Sequence, residues 1–579
     1  MTQARWRLAQ IDSGQAAALA AELHIHQPAA RVLLSRGLSD PGAARRFLRP
    51  SLDDLHDPYL MLGMRAAVER LLRACSGGEN ILLYGDYDAD GTTSVVILKR
   101  AIEMAGGKAS FHIPQRLKDG YGVRTEVIDT AAQNRVSLIV TLDTGIRAAD
   151  AVRHARDLGI DVIVADHHVP DNDIPPACAV LNPKQQGCAY PDKDLCGAGV
   201  TLKLVQALFG QLGWPEPKLR RMVESFLRPV AIATVADVVP LTGENRIFVK
   251  FGLEGLRHAR NPGLRALLAV SGVQEGDAPT AGQVAFRLAP RLNAAGRMAD
   301  ARDIVTLLTT EDVNEARRIA SALNELNRER QATEDAIVRA ILAACEETPV
   351  TERDFALVFS GRGWHKGVAG IVASRIVERF YRPAIVLCEE DGIAAGSGRS
   401  IPGFDLLAAL EAMPDIFLRY GGHRQAAGLS LEAARVPEFR ERLNAYAAAR
   451  LTAADLQPEI RVDATIELGE ISGEAVAEVL AMAPFGCGNP APVFCIRGAE
   501  VCAPPTLMKE KHLRVSLRQG GRVLMLKSWN SAARIGELAP GAVIDAVVTF
   551  EPDDYSLAAG HAGWSAVLKD FSKAAAAAA

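Results

Sequence analysis

Three short apolar runs constrain this chain most. NILLY (80–84), VSLIVTL (136–142) and IDVIVA (160–165) each lead into an aspartate, and helix-forming segments follow, TTSVVILKRAIEMAGG and IRAADAVRHARDLG among them. Short β-rich runs alternating with helices indicate an α/β fold, a parallel sheet covered on both faces. Ligands of such sheets sit beyond the carboxyl ends of the strands. The three runs deliver Asp86, Asp143 and Asp166 to that edge.

The first of these ends is crowded. LLYGDYDADGTTS (82–94) holds Asp86, Asp88 and Asp90 within five positions, and clustered like charges repel unless they face a cation. Further ligands are Asp143 in TLDTG, Asp166, His167 and His168 in VADHHVP, and Asp237 in ATVADVVPL. Residues two apart in an extended segment project to the same side, roughly 6–7 Å from each other. Asp88 and Asp90 can therefore hold different ions of a pair spaced about 3.5–4 Å, with Asp143 bridging them. Carboxylates with one imidazole favour Mn²⁺ or Mg²⁺ over zinc. Two such ions suit in-line attack on phosphorus, activating water and offsetting charge on the phosphoryl oxygens. Taken singly, an aspartate at a strand end is more often a helix N-cap, and a His-His pair more often packing. The conjunction is what argues for metal. DADGT (88–92) also resembles the nucleophile loop of haloacid-dehalogenase phosphatases, a reading that leaves Asp86, TLDTG and the histidines unexplained.

The rest of the chain sets the organisation. A length of 579 residues implies several domains, and 49% apolar against 23% charged residues is a globular balance. Nine cysteines without CxxC pairs suggest neither disulfides nor zinc and fit a cytoplasmic protein. No apolar stretch approaches the ~20 residues that span a bilayer, and no secretory leader is expected from MTQARWRLAQ. The net charge of −4 gives no global footprint for nucleic acid, although a basic groove can sit on an acidic protein. Residues 300–346 read as a charged, solvated connector helix. HLRVSLRQGGRVLMLKSWN reads as a hairpin with Leu513, Val515 and Leu517 inward and Gly520-Gly521 at the turn. Several such strands suggest a small C-terminal β-barrel, an OB-fold being one candidate. The terminal KAAAAAA is low complexity.

With DYDADG, LDTG, DHH and ADVVPL in this order, the chain resembles the DHH phosphoesterase superfamily. PQRLKDGYG, PRLNAAGRM, GWHKGVAGIVASRI, GSGRS, GGHRQAAG and PFGCGNPAPVF sharpen the resemblance to its RecJ family of bacterial single-strand-specific 5′→3′ DNA exonucleases. The resemblance spans nearly the whole chain. It implies a DHH domain (56–265), a helical connector (266–346), a DHH-associated domain (347–452) and an OB-fold (453–572), while the residues themselves read as small helices over 1–55 and a low-complexity tail over 573–579. It also implies that Asp88 and Asp143 hold one ion, and that Asp90, Asp143, His167 and Asp237 hold the other. Asp86 is ligand or supporting residue. His168 faces the scissile phosphate, with Asp166 orienting the histidines.

On the DNA side, the resemblance implies a pocket for the 5′-terminal phosphate from Arg116, Ser397 and Arg399. Arg291 and Arg297 are expected along the backbone, His423 near the metals, and Arg514, Arg518, Arg522 and Lys527 on the OB-fold. Glycine-rich GVAGIV and GSGRS expose backbone N–H groups to phosphate. The implied partners are single-stranded DNA, single-strand-binding protein and a RecQ-type helicase, with the protein itself a monomer away from membranes and the role DNA repair and recombination. Two rival readings remain: a non-catalytic single-stranded-DNA scaffold, and an enzyme for oligoribonucleotides or cyclic dinucleotides.

Overall fold

The apolar runs form neighbouring parallel strands, Asn80–Gly85, Val136–Leu142 and Asp161–Ala165. Ala109–His112 extends the sheet on one edge and Ala179–Leu181 on the other, all in parallel. This computed structural model describes residues 4–116, 120, 122–553 and 562–574. The middle of PQRLKDGYG and the last five alanines therefore lie outside the described residues. In chain order the strands run second, first, third, fourth, fifth. That order reverses between Asn80–Gly85 and Val136–Leu142, where an open α/β sheet forms its ligand crevice.

Burial on both faces explains why these strands read as continuous apolar runs. Leu82, Tyr84, Ile139, Val162 and Val164 pack in one cluster with Ile128 and Val152 from the helices Thr125–Gln133 and Ala149–Asp157. On the other side lies the helix Ala89–Met104, which packs against Gly197–Gln211 and Glu216–Ala236.

A second sheet has the order Phe417–His423, Ala426–Glu432, Ile393–Arg399, Ala384–Glu390, Leu357–Arg362. Its last two strands are parallel and the other pairings antiparallel. The helices Ala369–Phe380 and Val436–Ala448 belong to separate clusters on its two faces. The charged stretch before it forms one helix, Val313–Glu347. Solvation describes only part of that helix. Ala316, Ile319, Ala320, Leu323, Asn327, Arg330, Glu334, Ile337 and Ile341 form a buried stripe at three- and four-residue spacing. Ile337 and Ile341 carry the second sheet's core. Everything from Leu55 to Leu456 forms one compact unit.

The other unit joins Thr2–Asp54 to Gln457–Ala579. The strand Arg5–Leu8 runs parallel to Glu459–Val462. Leu19, Val32 and Leu33 of the first helices share a core with Phe494, Ile496, Leu517 and Val548. The hairpin forms as its pattern requires: His512–Gln519 pairs with Arg522–Ser528, Leu513, Val515 and Leu517 are fully buried, and Gly520 and Gly521 take positive φ. Pairing of Glu500 with Arg518 and Val501 with Leu517 closes the barrel. All nine cysteines are free thiols. Among the described residues no helix is long and apolar enough to cross a membrane.

Candidate metal centre and the pocket facing it

Each acidic ligand candidate reaches the centre from an element whose end is fixed locally. Asp86 follows Asn80–Gly85, and Asp88 caps the helix Ala89–Met104, its Oδ1 accepting from Asp90 N (2.9 Å) and Gly91 N (3.0 Å). The N-cap reading of a strand-end aspartate thus holds for Asp88, and it engages only one of the two carboxylate oxygens. Asp90, one residue into the helix, accepts from Gly197 N (2.6 Å) and Ala198 N (2.8 Å), the start of another helix. Asp143 sits at φ 61°, in the left-handed region that aspartate adopts more readily than most L-residues. Gly145, two residues on, also takes positive φ in the same turn. Asp237 caps the C-terminus of Glu216–Ala236, and Val238 after it is also left-handed at φ 59°. The β-branched Val238 is the strained one of the two, held in place by the surrounding packing.

These side chains converge. His167 Nε2 lies 3.1 Å from Asp143 Oδ1, 3.6 Å from Asp237 Oδ2 and 3.8 Å from Asp90 Oδ2. One ligand-like group is Asp86, Asp88 and Asp143, and a second is Asp90, His167 and Asp237. Asp143 also groups with His167 and His168, which puts it between the two. Asp86 Oδ1, Asp143 Oδ1, Asp237 Oδ2 and His167 Nε2 are buried without a hydrogen-bond partner among the described residues. Buried polar atoms in such number are costly unless something satisfies them. Burial, then the neighbouring carboxylates, pushes Asp86, Asp143 and Asp237 well above the carboxylate range. Asp90 rises to about 6 for the same reasons, although the Ala198 and Gly197 N–H groups hold it down. Burial and the adjacent His168 lower His167 to about 3, so it stays a neutral imidazole. Hard oxygen donors with one imidazole fit Mn²⁺ or Mg²⁺.

Asp166 does something different. It is fully buried, and its oxygens accept from Ile146 N (2.9 Å), His167 N (2.7 Å) and His168 Nδ1 (2.8 Å). Burial opposes its charge, but the bonds to His168 and the backbone outweigh it and hold Asp166 at about 2. For His168 the burial penalty is likewise overcome, by Asp166 first and then Asp90 and Asp86, and its pKa is raised. His168 is 42% exposed at its side chain. The bond through Nδ1 directs Nε2 away from Asp166.

Near the acids is a group of guanidiniums: Arg116 is close enough to affect Asp86, and Arg297 is close enough to feel Asp88. The Arg116 guanidinium lies over the Tyr87 ring at 4.9 Å. Arg297 donates to Gly367 O (3.1 Å), and burial, then Arg116, Arg330 and Arg399, depresses it to about 10. Burial and Arg116 lower Arg399 as well. Neither Arg297 nor Arg399 has an ion-pair partner among the described residues. Ser397 and Arg399 share one face of their strand, and Arg399 Nη2 would lie 2.9 Å from a Cβ at Gly370, the second glycine of GVAGIV. The His423 pKa is lowered by partial burial, then by the charges of Arg399, Arg147 and His168. Uncompensated, mutually repelling guanidiniums form a site for an anion.

Not every expected contact belongs here. Arg291 stands with Arg287 and Arg328, its Nε on Asn324 Oδ1 at 2.9 Å. On the barrel, Arg518 pairs with Glu500 and Lys527 with Asp553. Arg514 and Arg522 are exposed. Several positioning residues escaped the sequence reading. Gly197 N holds Asp90, and a Cβ on Gly197 would meet Asp143 Cβ at 2.7 Å. Asn293 Oδ1 accepts from Ala89 N (2.9 Å), and a Cβ on Gly296 would meet the Tyr87 carbonyl at 2.4 Å. The CGAG before a helix and the NAAG inside PRLNAAGRM were the available signals.

Comparison with known proteins agrees with this architecture. Residues 80–234 match the DHH family, N-terminal domain; residues 353–449 match the DHHA1 domain; and residues 462–558 match the RecJ OB domain. The chain is 39% identical to the single-stranded-DNA-specific exonuclease RecJ of Bacillus subtilis, over 94% of this chain and 68% of that protein. It is 37% identical to the Escherichia coli protein of the same name, over 85% and 86% of the two chains. The crystal structure of Thermus thermophilus RecJ in complex with Mn²⁺ superimposes with a TM-score of 0.83 at 31% identity, covering 99% of this chain and 80% of that one. The same protein in complex with Mg²⁺ gives 0.77 at 30% identity, covering 99% and 79%.

Proposed function

The chain belongs to the RecJ family, and from that premise we propose how its metal centre and guanidinium pocket act together. It is a metal-dependent hydrolase, an exonuclease of single-stranded DNA. The cofactor is Mn²⁺ or Mg²⁺. Our reading assigns one of two ions to Asp88 and Asp143, with Asp86 beside them. The other falls to Asp90, Asp143, His167 and Asp237. Bound there, the ions supply activation of water and offset of phosphoryl charge.

The protein's own groups do the rest. Asp90 is locked by the Gly197 and Ala198 N–H groups, so one carboxylate is preorganised before any cation arrives. Asp166 holds His168 by Nδ1, and His168 meets charge that develops on the scissile phosphate. Arg116, Ser397 and Arg399 receive the 5′-terminal phosphate, with Arg297 behind them and His423 near Arg399 and His168. An end pocket beside a cleavage centre makes an exonuclease working from the 5′ end. Arg291 contacts the strand further on, and Arg514 and Arg522 serve the barrel's own affinity for single strands.

The observation that carries this reading is the pairing of unpartnered acidic and imidazole atoms with guanidiniums that lack carboxylate partners, within one compact unit. We further propose a cytoplasmic monomer acting in DNA repair and recombination with single-strand-binding protein and a RecQ-type helicase. Digestion of single- and double-stranded DNA labelled at either end, with the metal varied, tests the activity and its polarity. Release of mononucleotides from the 5′ end of single strands alone is expected. Preference for dinucleotides over long DNA would instead make it a small-substrate phosphodiesterase.

A further inference from the structure

Phe286 is the most exposed large apolar side chain among the described residues, at 84%. It sits in a regular element, the π-helical turn Val284–Leu288 between Ala281–Gln283 and Ala289–Met298. Pro290 has no N–H for the carbonyl four residues back, that of Phe286, so the turn widens. Ala289 N–H bonds instead to Val284 O, five residues back. Val284 and Leu288 are fully buried beneath the turn, which holds Phe286 and Arg287 outward.

The surroundings of the ring are basic. Arg291 Nη1 donates to Arg287 O, and Arg291 Nε is fixed by Asn324. Arg328 is close enough to Arg291 to depress its pKa, after burial and ahead of Arg287. Glu325 offsets part of this charge through an exposed pair with Arg328 at 3.2 Å. The same helix leads to the metal loop. Asn293, seven residues on, accepts from Ala89 N between Asp88 and Asp90, about 10 Å along the helix axis at the usual rise.

We propose that Phe286 is a stacking platform for one unpaired base of the DNA strand, with Arg287 and Arg291 on the flanking phosphates. This rests on the reading of the chain as a single-strand exonuclease and adds a source of its strand preference. A duplex base already has both faces covered, whereas an unpaired base can place a face on the ring. The basic surroundings suit a polyanion better than an apolar protein partner, and the shared helix makes the surface continuous with the metal loop.

The test is binding of a labelled single-stranded oligonucleotide in EDTA, where no cleavage occurs. Phe286→Ala should weaken binding about tenfold, Phe286→Trp and Phe286→Tyr should retain it, and Phe286→Leu should behave like Phe286→Ala. A single abasic residue moved along the strand should cost the wild type affinity at one position and cost Phe286→Ala none there. Wild-type affinity in Phe286→Ala or Phe286→Leu overturns the proposal, as do equal abasic losses in both proteins at every position. Wild-type protein that shows the stacking pattern but leaves the strand uncut with Mn²⁺ refutes the exonuclease reading and leaves the platform standing.

Discussion

His167 Nε2 and Asp143 Oδ1 lie 3.1 Å apart, both buried and neither with a hydrogen-bond partner among the described residues. A neutral imidazole and a carboxylate in that relation leave lone pairs aimed at a common space. Asp143 belongs to the group with Asp86 and Asp88 and to the group with His167. Asp143→Ala should therefore abolish cleavage and lower Mn²⁺ occupancy, while the metal-free protein melts no earlier than wild type because one uncompensated acid is gone. Calorimetric Mn²⁺ titration with a thermal melt checks both. Near-normal activity at saturating Mn²⁺ would count against the bridging role.

The crowded acids set a pH dependence for the metal-free protein. Asp86, Asp143 and Asp237 are raised well above their ordinary range, and Asp90 to about 6. A carboxyl whose folded pKa exceeds its unfolded value, about 3.9, contributes stability below that value and loses it as pH rises through the folded pKa. In EDTA the melting temperature should fall between about pH 5 and pH 7.5, and added Mn²⁺ should remove much of the slope. A melt in EDTA that is flat across this window would contradict the clustering.

Gly197 is required for space, with no unusual backbone angle involved. Its absent Cβ would stand 2.7 Å from Asp143 Cβ, and its N–H holds Asp90. Gly197→Ala should weaken Mn²⁺ binding by about ten- to a hundredfold, the usual cost of disturbing groups that orient ligands. Unchanged metal affinity would mean the helix start can retreat without moving Asp143.

Asp166 orients His168 through Nδ1 and raises its pKa, so the two should fail alike. His168→Ala should reduce kcat by about a hundredfold or more, with far smaller change in DNA affinity, because its contact strengthens as charge develops. Asp166→Asn should lose much of the same rate. Loss of metal from His168→Ala with kcat restored by excess Mn²⁺ would instead mark His168 as a ligand.

Arg399 separates end recognition from general affinity. A terminal phosphate carries more charge than an internal diester, and charge-assisted hydrogen bonds contribute roughly 1.5–3 kcal/mol each. Arg399→Ala should slow cleavage of 5′-phosphorylated strands by about ten- to a hundredfold and of 5′-hydroxyl strands much less. Arg399→Lys should recover only part, since an ammonium lacks the planar fork. Equal losses on both substrates would place the end pocket elsewhere.

The local sequence determined the parts whose causes are local. Apolar runs of strand length, Asp86, Asp143 and Asp166 after them, and the alternation around Gly520-Gly521 are set by side-chain period and turn chemistry within a few residues. The clustering of the acids was legible for the same reason, because like charges that close together in sequence reach one strand edge. Tertiary structure alone decided what depends on distant neighbours. The sheet order that puts Asp86 beside Asp143, the burial of Glu334 and Arg330 in a helix that reads as solvated, and the seating of Asp90 on Gly197 are such cases. So is the pairing of Arg5–Leu8 with Glu459–Val462, some 450 residues apart. Arg518 and Lys527 make the point most simply. In sequence they are exposed basic residues, and only the closed barrel brings Glu500 to one, as the fold brings Asp553 to the other. Local pattern fixes period and chemistry, but the partner of a long side chain depends on which strands the hydrophobic core brings together.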